Sequence, residues 1–384
     1  MKKFVRLPAL AATLGLAAAT VSVLPADAAP QAGNPVTLEA VTTLVGPEML
    51  KASDALETTH YQSAVLGAIN PGEFVCGTTP FTNWLAGQLT GWSNEQKLYL
   101  AASILSNITS FAAMINVPAR PSFGINGEYT KKLTSTLQGL KGFWDINGSA
   151  IKMVPMHSSI MGDRAALVKV YEQIGRRTPA EAAGFANTYA TWYEGLVKQF
   201  GRNIPLISAN AFAFSPKGDP NPALAALPYM IIMGDGVLQG FDWLQLGKVA
   251  PQAVLAHEYG HQVQYKRFLD ESSLTTPEAT RRIELMADAF SGYFLAHAKG
   301  ANLNRKQLKL FAEMSYNIGD CGFDAPGHHG TPNQRLRSSE WGADLATDAR
   351  NQKKIMPSWS FIGRFDAALP VLVAPDAPAV PAAA

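Results

Sequence analysis

The spacing of apolar residues predicts two neighbouring helices in the second half of the chain. From residue 250 to about 268, small or apolar side chains recur at helical intervals and form one buried stripe: Val249, Ala253, Ala256, Gly260 and Val263. A second helical pattern runs from 277 to about 298, with Thr276 as its cap and Pro277 at the first helical position. The short polar connection at 269–276 predicts that the two helices are antiparallel neighbours.

The pattern upstream of these helices predicts an α+β fold that is mainly helical. Residues 29–150 read as an N-terminal helical region, in which 95–115 is the clearest apolar segment and 129–140 another. Short strands are expected at 152–156, 205–214 and 229–233, the last two flanked by Pro and Gly. We therefore expect a second domain over 151–368 that has a small sheet before its first long helix.

Both ends of the chain carry distinct signals. Basic residues at the start precede an Ala- and Leu-rich stretch that runs to Leu24, and the small-x-small run at 26–28 is typical of a cleavage site. We expect residues 1–28 to be a cleaved signal peptide, so that the protein is secreted or periplasmic without a stable membrane anchor. The stretch 369–384 is rich in Pro and Ala and is predicted to be a disordered tail.

The charge and the cysteine content limit the classes of binding partner and the compartment that we expect for this protein. The chain has 32 Lys and Arg against 30 Asp and Glu, without a basic cluster, which argues against nucleic acid or an anionic membrane surface as a partner. The two cysteines, Cys76 and Cys321, fit export to an oxidising compartment, where we expect them to form a disulfide. Their wide separation argues against metal binding by either thiol.

The first of the two predicted helices carries the run His-Glu-Tyr-Gly-His at 257–261. Residues four apart lie on one face of a helix, so His257 and His261 can each present a ring nitrogen to one metal ion. Glu258 lies about 100° round the helix and can reach a water on the metal rather than the metal itself. The alternative is a surface helix with incidental charges, which the buried stripe on the opposite face disfavours.

A catalytic zinc site commonly has three protein ligands and one open position, so a third ligand is needed. Gln264 and Arg267 stand where an extended three-histidine motif would have a glycine and a histidine, which excludes that form. Antiparallel packing would set Glu284, on the second helix, level with His261. Asp288, one turn further on, could then accept the free ring N–H of a ligand histidine. The alternative is that both acids are exposed helix charges.

These residues resemble the gluzincins, zinc metallopeptidases in which His-Glu-x-x-His is joined by a glutamate on a following helix. The pattern is most similar to the bacterial neutral zinc metallopeptidases, which combine His-Glu-x-Gly-His with Glu-Leu-x-Ala-Asp, here at 284–288, and a downstream His-Gly segment followed by an Arg, here within 328–335. The resemblance covers residues 250–335. It implies a zincin-like fold for 151–368, a Zn²⁺ cofactor and a peptide or protein substrate.

A further helix is predicted to begin after Thr331, because Gln334 completes a capping box with it. His328 and His329 lie just before this helix, where a histidine can donate a hydrogen bond to the oxyanion of a hydrolysed carbonyl. His329 is preferred because it directly precedes a glycine, and a structural role beside the helix start is an alternative of equal weight. We expect Arg335 to form a structural ion pair with an aspartate rather than a substrate contact.

The sequence thus predicts an exported zinc metallopeptidase. Zinc held by His257, His261 and Glu284 would lower the pKa of its bound water and polarise the scissile carbonyl. Glu258 would act as the general base and return the proton to the leaving amine. One alternative uses the same residues on another amide, such as a cell-wall cross-link. Another is a non-catalytic scaffold with structural zinc, which the intact Glu258 and the small number of protein ligands disfavour.

Overall fold

The computed structural model describes residues 38–53, 56, 59–69, 79–269, 276–319, 329–352 and 354–374. As predicted, the fold is α+β and mainly helical, with a small mixed sheet. Within these residues the elements are α1 (Leu38–Val45), α2 (Pro47–Ser53), α3 (His60–Ile69), α4 (Pro80–Gln88), α5 (Asn94–Leu105), α6 (Ile108–Ile115), α7 (Thr130–Phe143), β1 (Lys152–Met156), α8 (Arg164–Gln173), α9 (Pro179–Phe200), β2 (Ala211–Phe214), α10 (Pro222–Ala225), β3 (Met230–Gly234), α11 (Asp235–Trp243), α12 (Ala250–Lys266), α13 (Thr276–Ala296), α14 (Arg305–Asn317), α15 (Pro332–Gln352) and α16 (Ser358–Leu372). The signal peptide expected at 1–28 and the pair Cys76 and Cys321 lie outside the described residues.

The sheet has the strand order β1-β3-β2. Strand β1 runs parallel to β3, with Lys152 opposite Met230, and β2 runs antiparallel to β3, with Phe214 opposite Met230. All residues of β2 and β3 are buried. The strand predicted over 205–214 is shorter than expected because Pro205–Ser208 forms a 3₁₀ turn, which suits a proline that has no N–H to donate.

The sheet holds α12 in place through side chains on one face of that helix. The Gln262 amide donates to the carbonyl oxygens of Phe214 and Met230 at 3.2 and 2.8 Å. The Tyr265 hydroxyl donates to the Ala213 carbonyl oxygen at 3.3 Å. Since these bonds reach both β2 and β3, the rotation of α12 about its axis is fixed relative to the sheet.

The apolar segment predicted as one helix at 95–115 is two helices, α5 and α6, with a break at Ser106 and Asn107. Asn107 has φ of 49° in the left-handed region, which asparagine tolerates better than most residues. Its side chain accepts from the Gln62 amide at 2.6 Å and donates to the Ser53 hydroxyl at 2.7 Å. No single described helix has the length and apolar character to cross a bilayer, and only this bent pair meets those criteria together.

The N-terminal helices share one hydrophobic core with the rest of the chain. Helix α7 packs on α12, α6 packs on β1 and β3, and α4 packs on α11. Trp84 and Trp92 are both buried in this core. The core therefore continues across residue 150, where the two regions were expected to meet.

The C-terminal tail begins later than predicted. Helix α16 runs through Pro370 to Leu372, past the expected boundary at 369. The apolar Leu372 is 5% exposed and joins the core, which accounts for the extra length. Residues 375–384 lie outside the described part of the chain.

Candidate metal centre

The two helices that carry the predicted ligands pack side by side and run in opposite directions. Near the end of α12, the Gln264 amide donates to the Ile283 carbonyl oxygen of α13 at 2.7 Å. About three turns earlier on α12, the Ala253 carbonyl oxygen accepts from the Ser291 hydroxyl at 3.1 Å. Because contacts move forward on one helix as they move back on the other, the antiparallel arrangement predicted from the short connection is confirmed.

Gly260, inside the motif, lies at a close contact between these helices. A Cβ atom at this position would lie 3.1 Å from Ala287 Cα and 3.2 Å from Phe290 Cβ. Only glycine removes that conflict, so it lets the two backbones come close enough for side chains on both helices to share one site. Glycine here therefore has a packing reason independent of its flexibility.

The packing brings His257, His261 and Glu284 together. His257 Nε2 and His261 Nε2 are 3.1 Å apart. Glu284 Oε2 lies 3.4 Å from His257 Nε2, and Glu284 Oε1 lies 3.3 Å from His261 Nε2. A tetrahedral ion with ligands at the usual zinc distances would separate neighbouring donor atoms by about 3.3 Å, so the three spacings fit such an ion.

Both imidazoles are turned so that Nε2 faces the cluster. His257 Nδ1 lies 2.9 Å from Asp288 Oδ1, and His261 Nδ1 lies 2.8 Å from Gln264 Oε1. Since both partners are acceptors, we assign the ring hydrogen of each histidine to Nδ1. Two Nε2 lone pairs and a carboxylate then point at one another, an arrangement that a cation stabilises.

Arg335 supports the cluster from α15. Its Nε and Nη2 donate to Asp288 Oδ2 and Oδ1, both at 2.8 Å, and Nη2 is also 3.6 Å from Glu284 Oε2. This is the structural pair with an aspartate that the sequence predicts for Arg335. Its guanidinium is fully buried, so the contact is a two-bond ion pair shielded from solvent.

The charges in the cluster match a divalent cation. Glu258, Glu284 and Asp288 are buried carboxylates, and Arg335 is the buried cation beside them. With neutral imidazoles this leaves two negative charges, which one divalent ion would balance. In the absence of an ion, burial lowers the pKa of His257, but hydrogen bonds to Asp288 and Glu284 outweigh it and raise the pKa to about 10. The donor set, spacing and charge therefore all fit zinc.

Glu258 differs from Glu284 and Asp288 in its hydrogen-bond and ion-pair partners. Glu284 and Asp288 contact histidines and Arg335, whereas no described group hydrogen-bonds to the Glu258 carboxylate. Burial raises the pKa of Glu258, while the nearby histidines oppose the shift. A buried carboxylate to which no described residue donates, beside a group of potential metal donors, is suited to take a proton from water.

Two residues that shape the site carried no signal of such a role in the sequence. In the sequence, Gln264 stands out only as a departure from the three-histidine pattern, although its position one turn after His261 allows the contact. Tyr61, on α3, is buried, and burial followed by the charge of Glu258 raises its pKa. Tyr61 is almost two hundred residues from the motif in sequence, so only the fold could show that it belongs to the same environment.

The segment before α15 lies against α13. The capping box predicted for this helix is confirmed, since Gln334 N donates to Thr331 Oγ1 and Thr331 N donates to Gln334 Oε1, both at 3.1 Å. His329 is buried just before it, and a Cβ on Gly330 would be 3.0 Å from Leu285 Cδ2, next to Glu284. A catalytic contact of His329 stays a prediction, and His328 lies outside the described residues.

His157 and His297 have partners away from this cluster. His157 Nδ1 lies 2.6 Å from Asp235 Oδ2, and His297 Nε2 lies 3.0 Å from the Lys354 carbonyl oxygen. Among the residues that the structure describes, the group with three potential metal donors close together is His257, His261 and Glu284. Comparison of the chain with protein-family models, curated protein sequences and solved structures finds no match.

Proposed function

We propose that this protein is an exported, zinc-dependent metallopeptidase with a zincin-like catalytic domain and a gluzincin type of ligand set. The observation that carries the proposal is the mutual spacing of 3.1–3.4 Å between His257 Nε2, His261 Nε2 and the Glu284 carboxylate. Three protein donors leave a fourth position of a tetrahedral ion for water or substrate, which is the arrangement of catalytic rather than structural zinc. Glu258, which accepts no hydrogen bond from the part of the chain that the structure describes, supplies the base.

Each residue then has a defined task. When bound, zinc supplies a Lewis acid that acidifies water and polarises a carbonyl. The Glu258 carboxylate accepts the proton of the attacking water and passes it to the nitrogen of the leaving amine. Asp288 and Gln264 hold the Nδ1 hydrogens of the two histidines, so that both Nε2 atoms stay directed at the site. Burial of the cluster lowers the local dielectric constant and strengthens each of these interactions.

Replacement of Glu258 by Gln tests the proposal. The amide keeps the shape of the side chain but cannot accept the proton, so hydrolysis should fall by about 10²–10⁴-fold. The variant should still bind one zinc per chain, because Glu258 is not a ligand. Assays on casein and on purified peptidoglycan, with zinc content measured on the same samples, give both readouts.

The matched control is Glu340→Gln on α15, which changes an exposed glutamate and should leave both readouts unchanged. Full activity of Glu258→Gln would contradict the assignment of the base. A wild-type protein that binds zinc and hydrolyses none of these amides would contradict the catalytic role and favour a structural one.

A further inference from the structure

We infer that Arg335 is a positioning residue of the metal centre, which holds Asp288 and, through it, the His257 ring in the metal-binding orientation. The inference rests on the proposed function insofar as the cluster is a metal site, and it assigns a role to a residue expected only to form a structural pair. Its subject is metal binding itself and not hydrolysis.

The geometry forms one continuous chain of contacts. Arg335 Nε and Nη2 each donate to a different oxygen of Asp288 at 2.8 Å, which fixes the plane of that carboxylate. Asp288 Oδ1 also accepts from His257 Nδ1 at 2.9 Å. A carboxylate with both oxygens engaged cannot rotate without breaking a charged hydrogen bond, so the direction of His257 Nε2 follows from the position of Arg335.

The same guanidinium touches the third ligand. Nη2 lies 3.6 Å from Glu284 Oε2, so one side chain of α15 contacts two acids that lie one turn apart on α13. The neighbouring Ser338 also ties α15 to α13, since its hydroxyl donates to the Leu285 carbonyl oxygen at 2.5 Å. Arg335 is therefore held in a fixed place relative to both carboxylates.

The energetics of buried ion pairs point away from a purely stabilising role. Burying a guanidinium and a carboxylate costs solvation energy, and replacing such a pair by apolar groups is often neutral for stability. Here Arg335 Nη1 is also buried without a hydrogen-bond partner among the described residues. The Arg335–Asp288 pair is thus better explained by its contacts with His257 and Glu284, the proposed ligands, than by a contribution to the free energy of unfolding.

Cobalt binding to the full-length protein tests the inference. Co²⁺ occupies zinc sites, and its visible absorption reports the ligand geometry. Arg335→Lys keeps the charge but loses the two-bond fork, so cobalt affinity should fall by about 10-fold or more and the absorption should change in shape. Arg335→Met, as a single substitution, should lower cobalt affinity by at least as much.

A double-variant cycle separates positioning from folding. Arg335→Met alone leaves Asp288 as an unpaired buried acid, whereas Arg335→Met combined with Asp288→Asn removes both charges and should fold. Because Arg335 acts through Asp288, its replacement should cost less cobalt affinity in the Asp288→Asn background than in the wild type. Equal costs in the two backgrounds would contradict the inference.

A second arginine that donates two hydrogen bonds to one aspartate provides the control, and this arginine lies on α13. Arg282 donates to both oxygens of Asp366 at 2.8 and 2.9 Å at the exposed side of α13. Arg282→Lys and Arg282→Met should leave cobalt affinity and absorption unchanged. If the Arg335 variants also bind cobalt with wild-type affinity and absorption, the inference is wrong.

A wild-type protein that binds cobalt but hydrolyses nothing contradicts the proposed function alone, and one that binds no cobalt contradicts both.

Discussion

Gln264 accepts the ring hydrogen of His261 at 2.8 Å while its amide donates to α13 at the Ile283 carbonyl oxygen, 2.7 Å away. One side chain therefore sets the orientation of a proposed ligand, His261, and links the two helices that share the site. It does for His261 what Asp288 does for His257. The two histidines differ in that one is oriented by a neutral amide and the other by a charged carboxylate.

Gln264→Met should weaken zinc binding by about 10-fold or more, because partners that orient ligand histidines contribute 10–100-fold to metal affinity. Zinc affinity would be measured by competition with a chromogenic chelator. Gln262→Met is the matched control, since Gln262 is also a buried amide of α12 but bonds to the sheet. It should lower the free energy of unfolding without a comparable loss of zinc affinity. Equal losses in the two variants would refute the orienting role of Gln264.

Gly260→Ala should disturb the site by changing how closely α12 packs against α13. The added methyl group would lie 3.1 Å from Ala287 Cα, so α13 has to give by a few tenths of an ångström, and we expect this to disturb the position of Glu284 relative to the histidines. We expect a loss of about 1–3 kcal/mol in the free energy of unfolding together with weaker zinc binding. Gly184→Ala, at a helical position of α9 with open space around it, is the control. That change should raise stability by about 0.5–1 kcal/mol, and an equally harmless Gly260→Ala would contradict the packing argument.

His329→Leu, which removes the donor, should lower kcat and leave zinc content intact if this histidine contacts the oxyanion as predicted. Loss of one such donor costs about 10²–10³-fold in kcat in other hydrolases. Steady-state kinetics on a peptide substrate, with zinc measured on the same preparation, would show the effect. Unchanged kcat with lowered stability would mean that His329 only supports the start of α15.

The pair of His157 and Asp235 predicts a pH-dependent contribution to stability. The hydrogen bond to Asp235 raises the pKa of His157 above its ordinary value of 6.5, although burial opposes the shift. A raised folded-state pKa means that the contribution is complete below the unfolded value and is lost as the pH rises through the folded value. Glu128 also faces this histidine and acts in the same direction.

Urea unfolding of wild type and His157→Gln measures this contribution. The free energy of unfolding should be clearly larger for the wild type than for His157→Gln at about pH 5.5. The difference should be much smaller at about pH 9. Asp235→Asn, which removes the charge while keeping an acceptor, should reduce this pH dependence. An advantage of the same size at both pH values would show that the His157 pair does not titrate as described.

Local patterns in the sequence were enough to predict the elements around the site. The short, mostly apolar run at 152–156 predicted β1 at its observed bounds, and the capping pattern at Thr331 and Gln334 predicted the start of α15. Antiparallel packing of α12 and α13 followed from their short connection. These features depend on residues close together in sequence, where side-chain spacing alone determines the geometry.

Features that depend on distant parts of the chain were not predictable in this way. The break at Asn107 depends on partners at Ser53 and Gln62, which pattern reading of 95–115 does not include. Tyr61 enters the environment of the cluster only because α3 folds into the shared core. The added role inferred for Arg335 required its distances to Asp288 and Glu284.

The most direct measurement is anomalous diffraction at the zinc absorption edge from crystals of the zinc-loaded protein. We expect one strong peak about 2.0–2.2 Å from His257 Nε2, His261 Nε2 and a carboxylate oxygen of Glu284, with Glu258 outside bonding distance of the metal. A peak at other residues, a site in which Glu284 does not reach the metal, or no bound zinc would contradict this expectation.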